Sequence, residues 1–255
     1  MNDKQVQVTL VQLDNYGPWT ATLGSDREHR LQILQADLYS SIEEKFARKE
    51  GLAFFNRFDE VLAVSNGITI EDHREIMDAV QNEFPVTISM GVGVAQTPFQ
   101  AQLAASRLLQ AKGSAQSSAR SSVIACERTL DPNRSYVQIA HFDIDGVTQT
   151  HTDRLSAYET SMQVMSLYTE LMQSFRSRDT LLFYLGGDNF MGVADGINTD
   201  EISSLIDQYR SRGINLKCGI GIARTGRRAA ELATKNVDLI RDVKGTGPIL
   251  STTSL

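Results

Sequence analysis

The chain has 255 residues, 41% of them hydrophobic and 22% charged, with a formal net charge of -6. It is too apolar to stay disordered, and its acidity argues against a nonspecific nucleic-acid or membrane-surface binder without excluding a small anionic substrate. No apolar run reaches the ~18 residues that span a bilayer, and MNDKQVQVTL carries no signal-peptide pattern, so a cytoplasmic protein is expected. Cys126 and Cys218 form no CxxC, and His29, His73, His141 and His151 are scattered, so a protein-ligated zinc site is not expected.

In chain order, an apolar strand (Val6–Leu13) ends at Asp14. A loop leads to a long helix with Leu31, Leu34, Leu38, Ile42 and Phe46 at helical spacing. Two apolar runs, LAFF and VLAVS, flank a tight turn around Asn56–Glu60 and read as a β-hairpin. Asn66-Gly67 closes the second run; a helix over about 70–83, a strand Val86–Val94 and a third helix follow. The same order then recurs. VTLVQLDNYG (8–17) matches VQIAHFDIDG (137–146), GLAFFNRFDEVLAVSNGI (51–68) matches TLLFYLGGDNFMGVADGI (180–197), and VTISMGVGVAQTPFQAQLAA (86–105) matches LKCGIGIARTGRRAAELA (216–233). The offsets are 129, 129 and 128. In the second copy the helix stripe is Leu155, Tyr158, Met162, Met165, Met172 and Phe175, read as core.

The sequence therefore predicts an α+β chain of two tandem ferredoxin-like, palm-type βαββαβ domains with antiparallel sheets and helices on one face. The polar stretch GSAQSSARSS (113–122) and the turn DPN (131–133) bracket the boundary, giving repeats over 1–125 and 126–255.

Asp14 and Asp143 end the first strand of each copy, and Asp59 and Asp188 sit in the hairpin turns. A palm-type sheet brings strand end and turn together. Adjacent carboxylates raise one pKa or recruit a cation, and a hard ion such as Mg²⁺ joins carboxylates to phosphate oxygens. Asp145 adds a third acid in the second copy. Gly186-Gly187 opens one hairpin to a ligand, while Gly17, before Pro18, and the Gly146-Val147-Thr148 loop offer backbone amides to phosphate. Tyr16 and Trp19 are stacking groups for a flat base, and Lys244 is a candidate phosphate contact.

DIDG at a strand end followed by GGDN in a hairpin resembles the palm domains of GGDEF diguanylate cyclases and class III nucleotidyl cyclases. QLDNYGPWT (12–20), FFNRFDEVLAVSNGI (54–68), FPVTISM (84–90), GSAQ (113–116) and LGGDNFM (185–191), in this order, resemble archaeal GTP cyclohydrolase III across nearly the whole chain. Glu60 departs from the RFDN usual at that family's first hairpin. The resemblance implies GTP as substrate, opening of the imidazole ring at carbon 8 with the carbon kept as a formamide, and cleavage of the triphosphate. It also implies Mg²⁺ as cofactor, potassium as activator and a homo-oligomer, a dimer or tetramer. On this reading Asp143, Asp188 and the Ile144 carbonyl hold Mg²⁺, Asp14 and Asp59 form a pseudo-equivalent site, Asn15 and Asn189 contact base or water, and Arg57 meets phosphate. Glu60 and His141 are the candidate general bases. A guanine nucleotidyl cyclase and an inactive guanine-nucleotide sensor are the alternatives.

Overall fold

The computed structural model describes residues 4–131, 133, 135–145, 153–243 and 247–255. Gly146, Val147, Thr148 and Lys244 fall outside the described residues.

The first sheet holds β1 (Val6–Leu13), β2 (Leu52–Arg57), β3 (Glu60–Val64), β4 (Ile88–Ala95) and β5 (Ile124–Cys126) in the order β2-β3-β1-β4-β5. The second holds β6 (Val137–Ile144), β7 (Leu181–Gly186), β8 (Asn189–Val193), β9 (Leu216–Ala223) and β10 (Ile249–Ser254) in the order β10-β9-β6-β8-β7. The expected βαββαβ unit is present twice. Each sheet also carries a fifth strand that the sequence reading missed, β5 parallel to β4 and β10 parallel to β9, so the sheets are mixed and not purely antiparallel. Both strands are short or partly exposed edge strands, with little apolar periodicity to announce them.

The helices of the first unit are α1 (Tyr16–Thr20), α2 (Arg27–Arg48), α3 (Ile70–Glu83) and α4 (Pro98–Gln110); those of the second are α5 (Ala157–Arg176), α6 (Thr199–Arg210) and α7 (Gly226–Asp242). Capping boxes start α3 (Thr69 with Asp72), α5 (Ser156 with Glu159) and α6 (Asn198 with Glu201). Val11, Leu13, Ile88 and Met90 share a core with Leu38, Ile42 and Phe46 of α2 and Ile76, Met77 and Val80 of α3. The alternate residues of β4 face the other way. A Cβ on Gly91 would sit 2.2 Å from the Ala105 carbonyl oxygen, and one on Gly93 2.1 Å from that of Ala101, so α4 lies against the opposite face. Gly219 and Gly221 admit α7 in the same manner, at 2.0 Å from the carbonyls of Ala233 and Ala229. Helices thus cover both faces of each sheet, against the expectation of one; the glycines on alternate positions are the sequence trace of the second layer.

Two further expectations are corrected. In α5 the buried positions are Val164, Leu167, Leu171 and Phe175. Tyr158, Met162, Met165 and Met172 are 78%, 60%, 39% and 39% exposed, so the stripe chosen from sequence is mainly the outer face. The first compact unit runs on to Tyr136, past the boundary at 125 expected from the sequence. The reason is visible in the contacts: β5 pairs with β4, the Leu130 amide donates to Gln7 Oε1 at 2.7 Å, and Arg128 Nη2 donates to Gln5 Oε1 at 3.1 Å.

Candidate active site

The strand pairings change which residues of the two repeats are equivalent. Val64 and Val193 lie 129 positions apart, but their partners on the central strands, Val8 and Ile139, lie 131 apart. Gly91 and Gly219 pair with Leu10 and His141, again 131 apart. The glutamines Gln7 and Gln138 confirm the register. Gln7 Nε2 donates to the carbonyls of Ser65 and Ile68 at 2.6 and 3.0 Å, and Gln138 Nε2 to those of Ala194 and Ile197 at 3.1 and 2.8 Å. Aligning Asp14 with Asp143 therefore misplaces the central strand by two residues. Gln12 is the counterpart of Asp143, and Asp14 the counterpart of Asp145.

In the first repeat Asp14 is buried beside Arg120, whose Nε and Nη2 reach Asp14 Oδ1 at 3.2 and 3.1 Å; both side chains are 2% exposed. Ser89 Oγ lies 2.7 Å from Oδ1 and 2.9 Å from Oδ2. Oδ2 also accepts from Thr87 Oγ1 at 3.1 Å and from the Ser122 amide at 3.0 Å. Both oxygens are already engaged, with a guanidinium as the counter-charge, so this carboxylate does not fit the role of metal ligand assigned to it from sequence. Asp59 accepts from Arg57 Nε and Nη2 at 3.1 and 2.9 Å, which also commits Arg57. Glu60 accepts from Gln12 Nε2 at 2.7 Å and Asn56 Nδ2 at 3.3 Å.

The loop after Asp14 is built around the same motif. Asn15 takes a left-handed conformation, φ 50°, and its amide donates to the Ala115 carbonyl at 2.7 Å. A Cβ on Gly17 would meet Gln116 Oε1 at 2.4 Å. QLDNYGPWT and GSAQSSARSS thus fold onto each other, and the stretch read as a linker is a structural clamp. Tyr16 and Trp19 are half-buried against the first core with ring centroids 6.2 Å apart, and Gln35 bonds the Tyr16 hydroxyl. Burial pushes the Tyr16 phenol up, and the charge of Asp59 adds to the rise.

The second repeat differs. Asp143 is buried, and the Ile144 amide donates to the Asp188 carbonyl at 3.3 Å, which holds strand end and hairpin turn together. Burial raises the Asp143 pKa; Arg241 opposes this, and the Asp188 charge raises it further. Arg241 Nη2 approaches Asp143 Oδ1 at 3.4 Å and also reaches Asp238 at 3.4 Å through Nη1. Asp188 accepts from Asn189 Nδ2 at 2.9 Å. Asp145, equivalent to Asp14, pairs with Lys217 at 2.8 Å and does not join the other two acids as a third ligand. Gly186 and Gly187 have φ of 113° and 60°, and nothing lies within 4 Å of a Cβ built on either. Their backbone needs glycine, and the space over the turn is open. Beside Ile144 lies a cavity of about 240 Å³ lined by Val164, Leu167 and Ile214, with Gln163, Glu170 and Arg212 as polar neighbours.

Among the described residues no group of three or more His, Cys, Asp or Glu side chains is assembled for a metal. The Asp143–Asp188 pair fits a hard cation: Asp188 lies near enough to raise the Asp143 pKa, and Arg241, the nearer cation, stands off at 3.4 Å and is shared with Asp238. Two protein carboxylates leave positions for phosphate oxygens and water, as Mg²⁺ sites require. His141 does not fit a general base. It is buried, burial lowers its pKa, and both ring nitrogens are bonded, Nδ1 to Thr234 Oγ1 at 3.1 Å and Nε2 to Asn189 Oδ1 at 3.0 Å. Asn189 is committed to His141 and Asp188, not to a base. Sequence reasoning missed Arg120, Gln12, Lys217 and Arg241; only the paired Gln7 and Gln138 offered a signal, by betraying the register.

Two βαββαβ units, one with a neutralised corner and one with an acidic corner open to a cation, define a two-repeat palm-like α+β protein. Residues 8–253 match the family described as GTP cyclohydrolase III. The chain is 46% identical over 237 residues to a GTP cyclohydrolase III of Methanothermobacter thermautotrophicus, covering 92% of this chain and 94% of that protein. It is 46% identical over 240 residues to that of Methanobrevibacter smithii, covering 93% and 94%. The active GGEEF domain of a diguanylate cyclase from Vibrio cholerae aligns with 48% of this chain and 84% of its own at 17% identity and a TM-score of 0.35. The chain belongs to the GTP cyclohydrolase III family.

Proposed function

We propose that the chain is an Mg²⁺-dependent GTP cyclohydrolase whose chemistry runs at the second repeat. It opens the guanine imidazole ring at carbon 8, keeps the formyl group and cleaves the triphosphate. The products are 2-amino-5-formylamino-6-(5-phosphoribosylamino)pyrimidin-4(3H)-one and inorganic phosphate. The observation that carries this reading is the buried Asp143 with Asp188 beside it and incomplete counter-charge. Asp143, Asp188 and the Ile144 carbonyl would hold Mg²⁺ there. When bound, Mg²⁺ supplies charge neutralisation on the phosphates and acidifies water. The protein's own part is positional. The Ile144–Asp188 backbone bond fixes the two acids, the open glycine turn leaves room for phosphates, and the apolar cavity beside Ile144 takes the flat base out of water. Potassium activation and assembly as a dimer or tetramer belong to the same proposal; turnover with potassium replaced by sodium, and sedimentation, check them.

The test is turnover of GTP followed by loss of purine ultraviolet absorbance and by phosphate release. Asp188→Ala is expected to abolish both, while Asp59→Asn retains them. Near-normal turnover by Asp188→Ala would refute the assignment. Intact purine absorbance with a cyclised product would point to a nucleotidyl cyclase, and GTP binding without phosphate release to a sensor.

A further inference from the structure

A hydrogen-bonded chain runs from α7 to the turn aspartate of the second repeat, and its polarity follows from the groups in it. Asn189 Nδ2 lies 2.9 Å from an Asp188 carboxylate oxygen. An amide oxygen there would repel the carboxylate, so the amine faces Asp188 and Asn189 Oδ1 faces His141. Oδ1 can only accept, which puts a proton on His141 Nε2, 3.0 Å away. The other nitrogen, Nδ1, is then the acceptor for the Thr234 hydroxyl at 3.1 Å. The direction is Thr234 to His141 to Asn189 to Asp188. The first repeat lacks it: Leu10 stands at the position of His141, and Glu60 at that of Asn189 is bonded by Gln12 and Asn56.

We propose that His141 is a positioning residue that, as the neutral Nε2–H tautomer, locks Asn189 and through it sets the direction of the Asp188 carboxylate toward the cation. Asp188 needs such a brace. It sits in a two-residue turn beside Gly186 and Gly187, where backbone alone constrains a side chain poorly. A buried histidine anchored on α7 transmits the rigidity of that helix to the turn. Outer partners of this kind govern ligand orientation and metal affinity. The inference rests on the metal corner proposed above, and the experiment separates the two.

Protein labelled with ¹⁵N-histidine is examined without metal, and His141 is assigned by the signal lost in His141→Gln. The expected spectrum has the Nε2–H form at His141 and, as an internal contrast, the Nδ1–H form at His73, whose Nδ1 faces the Thr69 carbonyl at 2.6 Å. Mn²⁺ binding is then measured by its electron paramagnetic resonance. His141→Leu is expected to weaken it by about 10- to 100-fold, whereas His141→Gln, which keeps a donor where Nε2 stood, stays close to wild type. If His141→Leu does not fold, Thr234→Val is read instead; it should weaken Mn²⁺ binding and allow the Nδ1–H form at His141. An Nδ1–H signal at wild-type His141 overturns the relay, as does Mn²⁺ binding unchanged in the leucine or valine variant. Wild-type protein that shows the Nε2–H form yet binds no Mn²⁺ overturns the metal corner and the brace's purpose with it.

Discussion

Replacing Arg120 with methionine separates the two roles that look-alike aspartates can play. Asp14 and Arg120 are each 2% exposed at the side chain and meet at 3.1 Å. Methionine keeps much of the stem's volume but removes the guanidinium that pairs with Asp14. Ser89, Thr87 and the Ser122 amide remain as neutral donors. Stranding one member of a buried pair costs roughly 3–5 kcal/mol. With a urea m-value near ~2 kcal/mol/M, a loss of ~4 kcal/mol moves the midpoint down by about 2 M. Trp19, the sole tryptophan, lies in the loop that follows Asp14, so its fluorescence follows this unit. The double variant Asp14→Asn/Arg120→Met should recover a large part of the loss, because it removes both charges. Mn²⁺ affinity should be unchanged in all of them. A midpoint shift under about 0.3 M, or a fall in Mn²⁺ affinity with stability intact, would refute the view that this corner is structural.

Asp143→Asn should do the reverse, costing Mn²⁺ affinity while leaving the Trp19 transition in place; a metal titration beside the urea curve checks it. Gly221→Ala drives a methyl to 2.0 Å from the Ala229 carbonyl and should destabilise the second unit by at least about 1–3 kcal/mol, read by denaturant unfolding. His73 is buried between Thr9 Oγ1 at 2.7 Å and the Thr69 carbonyl at 2.6 Å, and burial holds its pKa below the usual 6.5. The unfolded chain then takes up this proton first. The stability His73 contributes is complete above about pH 6.5 and is lost as pH falls toward its folded value, so urea midpoints should drop on acidification, less steeply in His73→Gln. Cys218 is fully buried and its thiol pKa is pushed far up by burial, whereas Cys126 is partly exposed. A thiol reagent on native protein should label Cys126 and spare Cys218 until urea is added.

Much of this architecture is legible in the chain, and the errors have physical causes. Strands, the hairpins and the Asn66-Gly67 and Asp195-Gly196 turns follow from alternation and turn chemistry; Gly67 and Gly196 take φ of 86° and 98°. The acid corner fails in the first repeat because chemical identity was aligned in place of register. Asp14 and Asp143 look alike, but Leu13 and Ile144 occupy the same core position, and the acids flank it on opposite sides. Arg120 was invisible because its partner lies 106 positions away and its own neighbours are small and polar. The α5 stripe failed because methionine and tyrosine count as apolar at any exposure, while Val164, Leu167 and Leu171 mark the true buried side.

The most direct test of where the cation sits is anomalous diffraction from Mn²⁺ in crystals grown with a non-hydrolysable GTP analogue. A peak within ~2.0–2.3 Å of carboxylate oxygens on both Asp143 and Asp188, with none at Asp14, is the result expected. A peak coordinated by Asp14 and Asp59, with the second repeat bare, would contradict the account.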